Sequence, residues 1–205
     1  MKSSDCVGSN ETQQPARTSG TARSRAVAGV RMSVPEVRHG AAIHQLVEAC
    51  PPLDLNSTYA YLLLCEHFAE SCVRAERDGR TVGFVSAYRL PRRAAEIFVW
   101  QIAVAEDVRG QGLARAMLDE LLARPALRDC RYLETTVSPS NEPSRRVFLA
   151  LAREHGAAVT ERKLFAESDF GNSAHESEVL IRIGPFAGAR PSSVTIKTPT
   201  RRTAE

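Results

Sequence analysis

Apolar positions along the chain recur at two spacings, and the changes between them mark out the elements. From Ala41 to Cys50 they fall at helical intervals (Ile43, Leu46, Val47). Pro51 and Pro52 end the run, because proline lacks an N–H and clashes with the preceding turn. Asn56 or Ser57 can cap a second helix carrying Tyr61, Leu64 and Phe68. The spacing then tightens. Cys72 to Glu76 reads as a strand, Asp78-Gly79 as a hairpin turn and Thr81 to Tyr88 as the returning strand. Ile97 to Val104 is a longer strand. Gly112 to Ala123 is a helix with Leu113, Met117, Leu118, Leu121 and Leu122 on its apolar side. A strand (Tyr132 to Val137), a helix (Ser144 to His155) and two more strands (Val159 to Leu164, Val179 to Ile183) complete the pattern. This order predicts an α/β fold, a mixed sheet covered by helices on both faces.

The periodicity stops at both ends. Residues 1–31 are rich in Ser, Thr, Gly, Gln and Arg, as are residues 187–205 in Ser, Thr and Arg, and both are expected to be disordered around a single domain of residues 32–186. The whole chain of 205 residues has a formal charge of +3. Five basic against two acidic residues in 1–31, and four against one in 187–205, account for more than all of it, leaving −3 on the domain. That balance does not suggest nucleic acid as a partner and is compatible with a small cationic one. No run approaches the length of a membrane span, and no apolar stretch follows the basic N-terminal residues as in a secretory signal. The cysteines (Cys6, Cys50, Cys65, Cys72, Cys130) are odd in number and lack CxxC spacing, which fits reduced thiols in a cytoplasmic protein and no metal site.

The segment Trp100-Gln-Ile-Ala-Val-Ala-Glu-Asp-Val-Arg-Gly-Gln-Gly-Leu-Ala114 carries the chemistry. A strand ends, a Gly-containing turn follows and a helix begins, so unpaired N–H groups and the helix dipole point at one spot and favour an anion there. Gly110 and Gly112 allow close backbone approach, and Arg109 adds charge. GxxxxGK[ST] is absent, and no GxGxxG follows the first strand, which excludes a P-loop and disfavours a Rossmann site. The plain alternative is an ordinary turn into a helix. The spacing Arg109-x-x-Gly112-x-Ala114 resembles the acetyl-CoA signature of the GCN5-related N-acetyltransferases. The resemblance implies a mostly antiparallel mixed sheet of about seven strands. It implies pyrophosphate binding by Arg109, Gly110, Gln111, Gly112, Leu113 and Ala114, and pantetheine pairing with Ile102, Ala103 and Val104 across a gap from Thr135–Ser138. Asn141, Ser144 and Arg145 match the second cofactor motif, although Asn141 can also be a helix cap. Where many members have a Tyr that protonates the departing thiolate, this chain has Phe148, which cannot.

Longer segments resemble the subfamily that acetylates L-2,4-diaminobutyrate in ectoine biosynthesis. They are Cys50-Pro-Pro-Leu-Asp-Leu-Asn-Ser-Thr-Tyr-Ala-Tyr61, Phe98-Val-Trp-Gln101, Tyr132-Leu-Glu-Thr-Thr136, Ser138-Pro-Ser-Asn141 and Arg182-Ile-Gly-Pro-Phe186. This implies acetylation of the N4 amine by direct attack in a ternary complex, in a cytoplasmic homodimer serving osmotic-stress tolerance. The substrate has two ammonium groups and one carboxylate, so the site must hold cations and remove a proton. Asp54 suits an ammonium, or else caps the next turn; Trp100 offers a π-face, or else packs in the core. Tyr59 and Tyr61 offer hydroxyls, or else pack on their helix. Glu134 suits a base or water relay, or else a strand salt bridge. Glu176, next to His175, is a further carboxylate, or else simply solvated. Arg38, Arg74, Arg89 and Arg92 are cations for the substrate carboxylate or the 3′-phosphate of CoA. The competing functions are the same fold acting on another amine, such as an aminoglycoside or a protein lysine, and a catalytically silent acyl-CoA-binding module.

Overall fold

The computed structural model describes residues 27–171 and 175–187. One sheet organises them, in the order β1-β2-β3-β4-β5-β7-β6. Its strands are β1 (Arg31–Ser33), β2 (Val73–Arg77), β3 (Arg80–Leu90), β4 (Arg93–Val104), β5 (Tyr132–Val137), β6 (Val159–Phe165) and β7 (Glu178–Ile183). Only β4 and β5 pair in parallel; every other neighbour is antiparallel. That one parallel pair needs a crossover, and α3 (Leu113–Ala123) supplies it.

Alternate residues of β3 show how the layers form, since neighbours on a strand face opposite ways. Phe84 meets the buried ring of Tyr61 on α2 (Thr58–His67), with centroids 6.3 Å apart. Gly83 faces the other way, where a Cβ would come within 2.8 Å of Met117 Sδ on α3. Helices α1 (Gly40–Glu48) and α2 thus cover one face, while α3, with α4 (Glu142–Glu154) against it, covers the other. Ile43, Tyr61, Leu118, Leu121 and Leu151 are wholly buried among the sheet's Val and Ile residues. At roughly 25 cal/mol per Å² of apolar surface, such side chains each contribute about 1.5–3 kcal/mol.

Two boundaries differ from the sequence reading. β1 begins at Arg31, which pairs with Glu76, and Val27 joins the core, so order reaches into the segment expected to be disordered. Three residues are too few to show a period. β4 begins at Arg93, because Arg93-Ala-Ala-Glu96 extends the β3–β4 hairpin without any apolar alternation. The expected disorder of residues 1–26 and of 188–205 lies outside the described residues. Among the described residues, no helix is long and apolar enough to cross a membrane.

Candidate active site

The site is built where β4 and β5 part. Their pairing runs from Glu96/Tyr132 only to Val99/Thr135, although β4 continues to Val104 and β5 to Val137. At the fork β4 bulges: Ala87 faces Val99 and Ser86 faces Gln101, leaving Trp100 as the extra residue. A bulge bends its strand and re-aims a side chain. Trp100 accordingly stands 43% exposed at the mouth of the gap, which sets aside a core role for it.

On one side of the fork lies a cavity of about 550 Å³, walled by Ile102 and Val104 and by the turn into α3. Gly110 and Gly112 have φ of 74° and 82°, a region that favours glycine, and a Cβ on either would meet nothing within 4 Å. Gly112 is the N-cap of α3 and no side chain caps it, so the first amides of the helix stay free for an anion. Leu113, Ala114 and Arg109 line the same space, and Arg109 Nε donates to the Val104 carbonyl at 3.0 Å. Asn141 caps α4 by accepting from Ser144 N at 3.2 Å, and both residues line the cavity. Capping therefore holds Asn141 at the cofactor side rather than competing with that place. The donor set and the open glycine turn fit a pyrophosphate followed by an extended arm along β4. Phe148 closes the far wall.

Three expected cofactor residues have side chains directed elsewhere. Ala103 faces the core, 1% exposed, because β4 alternates. Gln111 donates to the carbonyl of Asp107 at 3.2 Å. Arg145 reaches Glu161 at 2.7 Å, a bond that raises its pKa.

On the other side of the fork a cavity of about 720 Å³ gathers Asp54, Trp100, Glu134 and Glu176. Tyr59 is not among its walls; it stands 67% exposed on α2. Asp54 is not a cap, since Ser57 caps α2 by accepting from Ala60 N at 3.4 Å. Instead the Asp54 loop is pinned to β4: Gln101 Nε2 donates to the Asp54 carbonyl at 2.7 Å. Tyr61 OH donates to Gln101 Oε1 at 3.3 Å and accepts from Asn56 N at 3.4 Å. The Asp54 carboxylate, its side chain 85% exposed, points at His175 Nε2, 3.7 Å away, with Glu178 Oε1 4.0 Å from the same nitrogen.

His175 is firmly held. Its Nδ1–H donates to the Glu176 carbonyl at 2.6 Å and its ring stacks on Phe170 with centroids 3.9 Å apart. That hydrogen bond, then the flanking Asp54 and Glu178 carboxylates, raise the imidazole above its ordinary pKa. Burial raises Glu178 in turn. Glu176 lies below the usual range because Ser140 stabilises its carboxylate, through its side chain first and then through its N–H, which donates at 3.0 Å.

Glu134 is 2% exposed, and Arg93 donates to both its oxygens at 2.7 and 2.8 Å, with Arg182 Nε 3.3 Å away. Both Glu134 oxygens are thus engaged by guanidinium donors, the arrangement of a salt-bridged strand residue, which is the plain alternative to a base. None of the four arginines considered for anionic groups lines either cavity. Arg38 pairs with Glu36, Arg74 with Glu76 and Arg89 with Asp129, while Arg92 sits in the exposed β3–β4 turn. Burial pushes the Cys65 thiol up to about 11 and the Cys72 thiol up to about 12, and neither residue lines either cavity.

A model of the acetyltransferase (GNAT) family matches residues 40–152. An L-2,4-diaminobutyric acid acetyltransferase of Bordetella parapertussis is 58% identical over 153 residues, covering 74% of this chain and 82% of that one. Another, from Methylotuvimicrobium alcaliphilum, is 43% identical over 77% of this chain and 91% of its own. The chain belongs to the L-2,4-diaminobutyric acid acetyltransferases of the GNAT family. A solved diaminobutyrate acetyltransferase from Paenibacillus lautus, in complex with L-2,4-diaminobutyric acid and coenzyme A, superposes with a TM-score of 0.75 at 44% identity, covering 77% of this chain and 95% of that one. As a diaminobutyrate acetyltransferase the chain places more residues in its acceptor cavity than its motifs indicate. Gln101, Arg93 and His175 had no role assigned from sequence, because each meets a partner far along the chain, and Glu178 had none because its place depends on His175. Only the cluster His175-Glu-Ser-Glu178 ahead of a strand hints at them.

Proposed function

We propose that the protein transfers the acetyl group of acetyl-CoA to the N4 amine of L-2,4-diaminobutyrate, yielding the precursor that a synthase cyclises to ectoine. The observation that carries this reading is the meeting of the two cavities: Pro52, Leu53 and Asn141 line both, so a donor seated along β4 and an amine beside Trp100 and Asp54 share one opening. The thioester supplies an activated acyl group; the rest falls to the chain's own side chains.

Asp54 holds the ammonium through a charge-assisted hydrogen bond, and Trp100 lays a π-face beside it. Amines of this kind titrate near 10.4, so one proton must be removed before attack. His175 receives it at Nε2, because its Nδ1–H is already committed to the Glu176 carbonyl and the lone pair faces the cavity. Glu178 supports the resulting imidazolium. Glu134, tied to Arg93, shapes the cavity wall. Phe148 offers no proton, so the departing thiolate is stabilised by solvent and by the donors around it rather than by α4. Ile102 and Val104 offer strand-like bonds to the pantetheine, and Gly110, Gly112 and Ala114 seat the pyrophosphate.

The reading extends to a homodimer in the cytoplasm contributing to osmotic-stress tolerance, which rests on the family resemblance. Within the chain it takes residues 27–187 as the catalytic domain. Purified protein given acetyl-CoA with diaminobutyrate, an aminoglycoside, a lysine peptide or no amine tests the reaction by release of free thiol. Turnover with diaminobutyrate above the others supports it; binding of acetyl-CoA without turnover of any amine leaves a silent module instead. Size-exclusion chromatography with light scattering tests the dimer.

A further inference from the structure

The acceptor cavity is rich in carboxylates, with Asp54, Glu134, Glu176 and Glu178 in its walls. These suit the two ammonium groups of a diamine. They leave open what meets the α-carboxylate, which an acid-lined site repels unless a cation is set aside for it. The cations in the walls are Arg93 and Arg162, joined by His175 once it is protonated. Arg93 gives both faces of its fork to Glu134 and pairs with Glu96 as well. His175 is enclosed by the Glu176 carbonyl, Asp54 and Glu178. Arg182, one strand over, is taken by Glu96 and Glu134. Arg162 alone lines the cavity with no hydrogen bond or ion pair among the described residues.

The register puts it at a useful distance. Thr136 pairs with Leu180, and Leu180 with Arg162, so the three form one row across β5, β7 and β6. Thr136 sits at the fork, next to Thr135, the last β5 residue paired to β4. Two strand spacings separate the backbones of Thr136 and Arg162, about 10 Å. Between them Leu180, 4% exposed, gives the cavity an apolar floor. A reactive amine at the fork, a short carbon chain over a leucine and a guanidinium beyond it match a molecule with an amine at one end and a carboxylate at the other.

We propose that Arg162 binds the α-carboxylate of the acceptor and that Leu180 supports its carbon chain, so that the enzyme selects a diamino acid over a plain diamine. This rests on the acetyl transfer to diaminobutyrate proposed above. A guanidinium matches a carboxylate with paired donors, which lysine cannot copy. The acids around the cavity then reject a second carboxylate, while Arg162 accepts the first.

The experiment compares wild type, Arg162→Gln and Arg162→Lys on two acceptors, L-2,4-diaminobutyrate and its carboxamide, 2,4-diaminobutyramide. In wild type, loss of the carboxylate charge is expected to lower kcat/KM about ten- to hundredfold. In Arg162→Gln the two acceptors are expected to react alike, because diaminobutyrate falls to the level of the amide while the amide and the KM for acetyl-CoA stay near wild type. Arg162→Lys should recover part of the preference. An undiminished preference in Arg162→Gln, an equal loss on both acceptors, or no preference in wild type overturns the proposal. Failure of wild type to acetylate diaminobutyrate overturns the proposed reaction itself, a separate result. The melting temperature of each variant is expected to match wild type, since Arg162 is exposed on an edge strand.

Discussion

Gln101 and Asp54, 47 positions apart, are joined by a 2.7 Å hydrogen bond from the Gln101 amide to the Asp54 main-chain carbonyl. The side chain proposed to recognise the amine is thus carried on a loop fastened by its backbone to β4, the strand proposed to carry the donor. The bond uses the carbonyl and not the carboxylate, which faces His175, so recognition and fastening can be tested apart.

Recognition is probed by Asp54→Asn. It keeps the shape and the fastening but removes the charge. The KM for diaminobutyrate is expected to rise roughly ten- to a hundredfold, the range of a charge-assisted hydrogen bond, with the KM for acetyl-CoA unchanged. Because Ser57, not Asp54, caps α2, neither Asp54→Asn nor Asp54→Ala should lower the melting temperature. Steady-state kinetics beside thermal melts check both statements, and a kinetically silent Asp54→Asn removes the ammonium contact.

Fastening is probed by Tyr61→Phe. The hydroxyl bridges Gln101 and Asn56 inside the fold, and its loss strands a buried amide oxygen. A cost of about 1–3 kcal/mol in unfolding free energy is expected. A several-fold rise in the KM for the amine should accompany it as the Asp54 loop loosens. Urea denaturation gives the first number and kinetics the second.

The anion cradle is probed by Gly112→Ala. At φ 82° a Cβ costs roughly 1–2 kcal/mol of backbone energy, and it enters the open space that the turn keeps in front of α3. The KM for acetyl-CoA is expected to rise at least tenfold, with that for diaminobutyrate much less affected. Calorimetric titration with CoA is the direct check.

Proton removal is probed through pH. The folded-state pKa of His175 is raised, so its neutral, accepting form appears only as pH climbs above the ordinary imidazole value of about 6.5. The kcat/KM for diaminobutyrate should therefore rise through a midpoint above that value. In His175→Gln this limb should disappear, leaving only the ascent of the substrate amine near 10.4. An unchanged limb in the variant assigns the proton to another group.

The ordered boundary is probed by truncation. A chain of residues 27–187 is expected to keep the melting temperature and activity of the full chain. One beginning at residue 34 loses Val27 from the core and all of β1, and should be destabilised by about 1–3 kcal/mol or more. Thermal melts of the two separate the cases.

Much of this architecture was legible because period and turn chemistry are local. The strand, glycine turn and helix from Ile97 to Ala123 announced the donor side, and the structure places most of the expected groups around one cavity. Pairing is not local, and there the sequence was silent. Nothing near Glu134 signals that Arg93 covers it, because Arg93 belongs to the opposite end of an unannounced strand extension. Nothing near Arg162 marks it as a cation unmatched among the described residues, because that depends on what every other charge there has found. Tyr59 and Tyr61, two positions apart, could not be told apart by type, yet the helix exposes one and buries the other.

The early end of the β4–β5 pairing also links folding to metabolism. The protein zips its central seam only as far as Val99 and Thr135, and the edge of β4 beyond that point runs alongside the donor's cavity. A pantetheine arm bound there, as proposed, would complete the sheet as an eighth, exchangeable strand. Its binding free energy then adds to that of folding, by about 2.7 kcal/mol once acetyl-CoA stands at a hundred times its Kd. Acetyl-CoA would then act as a folding ligand as well as a reactant, raising the melting temperature with its concentration.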